Sequence, residues 1–234
     1  MRGALNPGFS LAEIANVFQV AARFVYDEPV RILGRSFYKR HPSTVARQLL
    51  GKILVRQLDG VTLSGRIVET EAYSSDDPAS HAYRGRTERN RALFGEPGHA
   101  YVYFTYGMHF CMNVVARRGK PAGGVLIRAV EPLEGIDEMK RRRHTVRLRD
   151  LMSGPGKVAQ ALAITQSLYG TDLTRCGALY IADTGASPLS AARTPRIGIR
   201  AGKDKLWRYV IKGSPFVSGP ARPVLRPIPF SGRG

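Results

Sequence analysis

Residues 53–73 read ILVRQLDGVTLSGRIVETEAY, and the architecture follows from them. Ile53–Leu58 and 62–73 are runs of alternating and β-branched residues, parted by Asp59-Gly60. Asp-Gly supplies the positive φ values that a tight hairpin turn requires, so the two runs pair as antiparallel strands. Side chains alternate along a strand, which puts Glu69, Glu71 and Tyr73 on one face and Val68, Thr70 and Ala72 on the other. Two acids on one face of an otherwise apolar strand mark either a solvent face or a site. The long polar stretch 74–97, which carries His81, follows at once and favours a site. A carboxylate beside aromatic surface can act as a general base.

Working outward, 43–50 has the spacing of a short amphipathic helix (Val45, Leu49, Leu50) closed by Gly51. Residues 101–105 and His109–Val115 form a second strand pair, and 125–130 a further strand. Helices are expected over 133–143 and 157–164, and strands over 179–182, 196–199 and 207–211. The sum is an α+β fold: one compact domain on a mostly antiparallel, curved sheet, with flanking helices and a protruding hairpin. Residues 1–35 stand apart as an extension, with helical spacing from Leu11 to Val25. Its acids (Glu13, Asp27, Glu28) argue against a targeting peptide. The domain proper spans 36–218. The tail, 219–234, holds four prolines and three arginines with little core material, and is expected to be flexible.

Composition narrows the function. The 234 residues carry 36 Lys+Arg against 18 Asp+Glu, a net charge of +18. That surplus calls for a polyanionic partner, nucleic acid first and an anionic membrane surface second. With 43% hydrophobic residues and nine Phe, the chain is a folded protein rather than a basic tail. Cys111 and Cys176 cannot build a disulfide framework or a multi-cysteine zinc site, and neither CxxC nor HExxH occurs. No apolar run reaches the roughly eighteen residues of a membrane span.

Three further stretches carry chemistry. In 101–110, YVYFTYGMHF, Gly107 is the natural turn residue, which sets Tyr106 at or beside an exposed tip. A large aromatic there suits a wedge between base pairs. Tyr101 and Tyr103 share a face and either line a pocket for a planar base or are ordinary sheet aromatics. Ser153-Gly154-Pro155-Gly156-Lys157 opens a helix with small residues and places Lys157 where it could meet a phosphate, although the first glycine of a P-loop is missing. The run Lys140-Arg141-Arg142-Arg143-His144 offers general electrostatic attraction.

Taken together, these segments resemble the alkyladenine (3-methyladenine) DNA glycosylases. The motifs are GRIVETEAY (65–73), TERNRALFGEPGHAYVY (87–103), YGMHFCMNVV (106–115), LIRAVEPLEG (126–135), SGPGK (153–157) and KGSPFVS (212–218), covering about 36–218. The resemblance implies a monofunctional base-excision enzyme that needs neither metal nor organic cofactor. Glu71 would activate a water to attack C1′ of a damaged purine nucleotide. Tyr73, His81 and Tyr103 would form the base pocket, Asn113 would exclude guanine by crowding its 2-amino group, and Arg128 would sit near the catalytic water. Tyr106 would fill the gap left in the duplex. His109 stands where some members carry tyrosine. The implied partner is double-stranded DNA with damaged purines, bound by a monomer in the cytoplasm without a membrane. Two other readings stay open: a glycosylase–lyase with Lys157 as Schiff-base amine, and a non-catalytic nucleic-acid-binding module.

Overall fold

Asp59 and Gly60 take φ values of +47° and +79° and close the expected hairpin, with Leu58 opposite Val61. The computed structural model describes residues 31–185, 190–219 and 226–227. Its strands are β1 (Arg31–Ile32), β2 (Ile53–Leu58), β3 (Val61–Ser74), β4 (Ala100–Thr105) and β5 (His109–Val115). They continue with β6 (Gly123–Glu134), β7 (Leu179–Asp183), β8 (Ala191–Thr194), β9 (Arg208–Ile211) and β10 (Arg226–Pro227). One sheet holds them in the order β1-β7-β2-β3-β6-β5-β4, with β9 on β3 and β8 and β10 beyond it. Every strand pair among the described residues is antiparallel. The helices are α1 (Arg35–Tyr38), α2 (Pro42–Leu49), α3 (Ile136–Arg143), α4 (Leu148–Leu151) and α5 (Pro155–Ala161). The fold is α+β, as the pattern predicts.

Alternation divides the sheet into two working faces. Ala100 and Val102 of β4, Met112 and Val114 of β5, Val125 and Ile127 of β6, and Ala72 of β3 point into the main core. Val45, Ala46 and Leu49 of α2, Met139 of α3 and Val158 of α5 cover them. Each fully buried aliphatic side chain contributes roughly 1.5–3 kcal/mol, so this face holds the domain together. Proline at the start of α2 and the His41 ring, which accepts from the Ser43 N–H, begin that helix, and Gly51 at φ +84° ends its run. The intervening residues of the same strands face the other way and make the site.

Several sequence expectations are corrected. Val68, Thr70 and Ala72 do not share a face. Ile67 stands opposite Val130 and Glu69 opposite Ala129, so Val68 is an extra, bulged residue. It packs with Ala129 and Ile211, whereas Ile67 and Ala72 lie in the main core. A bulge shifts the two-residue period by one, which a strict alternation cannot anticipate. The helix expected over 133–143 starts only at Ile136, because Leu133 and Glu134 complete β6. The helix expected over 157–164 begins two residues earlier, at Pro155, and ends at Ala161. No strand forms over 196–199: Pro195 has no N–H for a ladder, and β8 precedes it. The helix expected over 11–25 lies outside the described residues, as does most of the tail. The sheet nevertheless begins at Arg31, inside the 1–35 segment, and the backbone of Arg226–Pro227 pairs with Ala192 and Arg193 of β8.

Candidate active site

Cross-strand register assembles the site. Tyr101 of β4 stands opposite Asn113 of β5, Asn113 opposite Leu126 of β6, Leu126 opposite Glu71 of β3, and Glu71 opposite Arg208 of β9. Tyr103 pairs with Cys111 and Gly124 with Tyr73 one step along. Five strands thus deliver one row of side chains to the face away from the helices. A second bulge completes it. Ile127 stands opposite Thr70 and Ala129 opposite Glu69, leaving Arg128 without a strand partner. Bulges commonly re-aim a side chain beside a site, and here the arginine is aimed between two carboxylates.

Those carboxylates are fully buried. Glu71 Oε1 accepts the Ile197 N–H at 2.7 Å, and Oε2 accepts the Tyr73 hydroxyl at 2.8 Å and Arg128 Nη1 at 3.2 Å. Glu69 Oε1 accepts Arg128 Nε at 2.9 Å and Arg208 Nε at 2.6 Å. Two acids and two arginines balance in charge, which offsets the cost of burying them. Burial draws the Arg128 guanidinium down, but Glu71 and then Glu69 outweigh it and hold it above an ordinary arginine. Burial, then the charge of Glu71, push the Tyr73 phenol far up, so it remains a donor.

Around this floor opens a cavity of about 500 Å³, lined by Tyr73, His81, Tyr103, Asn113, Arg128 and Tyr106 among others. Its size suits a small planar ligand. Tyr101 and Tyr103 stack at 5.1 Å, and the His81 ring meets Tyr103 edge-on at 4.7 Å. Part of His81 faces solvent. Desolvation against these rings, followed by Arg89, still draws its imidazole below the usual histidine range. Burial pushes the Tyr101 phenol up to about 12, so it keeps its proton and can donate to His81 Nδ1 at 3.0 Å, leaving the histidine hydrogen on Nε2. Asn113 Oδ1 is buried without a hydrogen-bond partner. A Cβ on Gly124 would come within 2.9 Å of Leu93 and 3.3 Å of Asn113 Nδ2, so glycine keeps this wall open.

The structure brings Glu71, Tyr73, His81, Tyr103, Asn113 and Arg128 together. Tyr106 stands at the rim, 80% exposed, at the tip of the β4–β5 hairpin. Lys157 does not join them. Its Nζ lies 3.3 Å from Asp150 and 3.2 Å from Ser153, and it is not among the cavity-lining residues. Sequence reasoning missed the loop 196–202. Ile197, Gly198, Ile199 and Arg200 line the cavity, and Arg196 anchors the loop through buried Asp77 and the carbonyl oxygens of Ala72 and Gly202. Arg196 also lies over the rings of Tyr73 and Trp207. No local pattern flags such a contact, because Asp77 and Arg196 are 119 residues apart.

A buried acid, Glu71, bonded directly to the cavity-lining Tyr73, Arg128 and Ile197 marks an enzyme site rather than a flat binding face. The sequence matches the family profile described as Methylpurine-DNA glycosylase (MPG) over residues 36–215. A protein of Carboxydothermus hydrogenoformans named "Putative 3-methyladenine DNA glycosylase" is 52% identical over 190 residues, covering 80% of this chain and 98% of its own length. A protein of the same name from Chlorobaculum parvum is 50% identical, covering 80% of this chain and 90% of its own. The chain belongs to the methylpurine-DNA glycosylase family, as the motifs implied. It is a DNA glycosylase, a hydrolase of N-glycosyl bonds that acts on DNA, and among the described residues no helix is long and apolar enough to cross a membrane.

Proposed function

We propose that the protein extrudes alkylated or deaminated purines, such as 3-methyladenine, hypoxanthine and etheno-adenine, from duplex DNA. Glu71 then directs a water onto C1′ and the base leaves. One observation carries this reading. A carboxylate offers about four lone-pair positions, and Glu71 spends three, on Ile197, Tyr73 and Arg128. The remaining position is on Oε1, beside the cavity-lining Ile197, where a water can be bound and deprotonated. General-base action of this kind is worth typically ~10²–10⁴ in rate.

Placement around the cavity supports the other roles. Tyr73, Tyr103 and His81 enclose the extruded base, with aromatic stacking worth roughly 1–3 kcal/mol per contact. Asn113 stands against the base edge and disfavours guanine by crowding its 2-amino group. Arg128 holds Glu71 in place and offers its cation to the sugar–phosphate. Tyr106 enters the stack in place of the lost base. Flipping costs a few kcal/mol, least for a poorly paired lesion, which adds selectivity. Lys157, held by Asp150 at the surface, contributes at most to phosphate attraction, so water and not an amine is the nucleophile. The protein acts as a monomer on cytoplasmic, nucleoid DNA, using domain 36–218 and no metal or organic cofactor.

Glu71→Gln tests the reading. The variant should bind a duplex containing one lesion with near wild-type affinity while base release falls at least ~100-fold. Release at the wild-type rate removes the role given to Glu71. Borohydride treatment during turnover should trap no protein–DNA adduct.

A further inference from the structure

Arg128 sits at a bulge, so no ladder partner dictates its aim; its side-chain contacts do. Its Nε bonds Glu69 Oε1, its Nη1 bonds Glu71 Oε2 and its Nη2 approaches Ser218 Oγ at 3.3 Å. Glu69 is in turn held by donors from three residues. Arg128 Nε, Arg208 Nε and the Ser218 hydroxyl donate to Oε1, and the Ser218 N–H donates to Oε2 at 2.6 Å. Four donors hold Glu69, three on Oε1 and one on Oε2, and the backbone N–H among them comes from Ser218, not from the cavity-lining Ile197 that holds Glu71. The two acids on one strand therefore differ in their surroundings: Ile197, Tyr73 and Arg128, which hold Glu71, all line the cavity, whereas of the residues that hold Glu69 only Arg128 does.

We propose that Glu69 is a positioning residue for excision, holding Arg128 by its Nε edge so that a single Nη1 contact reaches Glu71. The inference rests on Glu71 being the base. An arginine released from Glu69 turns its planar fork onto Glu71, where two parallel bonds to both oxygens are the favoured geometry. That arrangement occupies the lone pair needed for water. Sharing Arg128 between two carboxylates also dilutes its hold on the Glu71 charge. Arg208 and Ser218 supply the remaining donors, which ties the segment 212–218 to the chemistry.

The test uses single-turnover release of methylpurines from a dimethyl-sulfate-treated duplex, measured across pH. Glu69→Gln alone leaves an uncompensated buried cation, so it is paired with Glu69→Gln/Arg208→Met, which removes one charge of each sign. The folded double variant should release base about tenfold or more slowly at neutral pH. Its affinity for the duplex should be unchanged, and the acid limb of its profile should move to lower pH, because a more tightly paired carboxylate holds its charge further down. Wild-type rate and limb in folded protein overturn the proposal. So does a rate loss with an unmoved limb, which is what a merely structural role gives. If the double variant does not fold, Ser218→Ala decides: a slower rate with a smaller shift in the same direction supports the proposal, and no change overturns it. Glu71→Gln run alongside separates the two claims. If that variant stays active, the base assignment fails; if it is dead while folded Glu69 variants are fully active, only the positioning role fails.

Discussion

The phenol of Tyr73 donates to Glu71 Oε2 at 2.8 Å from two residues along the same strand, although strand neighbours of this spacing ordinarily lie side by side without bonding. The contact exists because Arg196 lies over the Tyr73 ring at 4.7 Å and Arg128 holds the carboxylate from the other side. One side chain thereby both walls the cavity and fixes the acid.

Tyr73→Phe keeps the wall and deletes the donor. A hydrogen bond to a charged group is worth roughly 1.5–3 kcal/mol, so single-turnover excision should slow by about tenfold or more. Lesion affinity should stay close to wild type, as a fluorescence-anisotropy titration would show. Equal loss in affinity and rate would mean that the ring, not the hydroxyl, matters.

Protonation of His81 should weaken both fold and function at acid pH. Its folded-state pKa lies below the unfolded value, because desolvation and then Arg89 disfavour the cation. Between the two values the unfolded chain binds the extra proton. Its contribution to stability is therefore present above the ordinary histidine range near 6.5 and is lost as pH falls through the folded value. His81→Gln should flatten this part of the pH–stability curve, and of the lesion-affinity curve, between pH 7.5 and 5. Identical slopes in both proteins would refute the assignment.

Tyr106 holds φ at +53°, a left-handed conformation that costs a residue with a Cβ roughly 1 kcal/mol. The side chain is 80% exposed, so packing offsets little of that cost. Tyr106→Gly should therefore raise the melting temperature slightly while weakening lesion-duplex binding by about 10- to 100-fold. Tyr106→Ser should weaken binding equally without the gain in stability. The strain is retained, on this view, because the aromatic tip acts in the complex.

Asp77 and Arg196 form an ion pair in which both side chains are fully buried. Asp77→Asn would leave the guanidinium uncompensated, at about 3–5 kcal/mol. Urea denaturation should show this loss. The variant should also lose excision beyond what its folded fraction explains, since Arg196 precedes the Ile197 N–H that holds Glu71. Full activity per folded molecule would separate the loop anchor from the chemistry.

Much of this was legible from short-range pattern. The Asp59-Gly60 turn, the α2 helix with its Gly51 stop, and the β4–β5 hairpin follow from glycine, alternation and helical spacing, which act within a few residues. The placing of Glu71 and Tyr73 on one face was legible for the same reason. The face assignment failed at Val68, where a bulge intervenes, because an extra residue depends on a partner strand about 60 positions away. The 196–199 run read as a strand because its alternation is real, yet the Ile197 N–H and the Arg196 side chain serve Glu71 and Asp77 instead of a ladder.

Alone, the order of residues determined a basic α+β chain of recognisable family, the strand that carries the acids, and an aromatic hairpin tip. Those properties rest on composition and on periods of two and about four residues, so they survive without any tertiary contact. The division of labour between Glu69 and Glu71 was decided only in three dimensions. Both are glutamates on one strand, and what distinguishes them is which donors from β6, β9, the 196–202 loop and Ser218 fold back to fill their lone pairs.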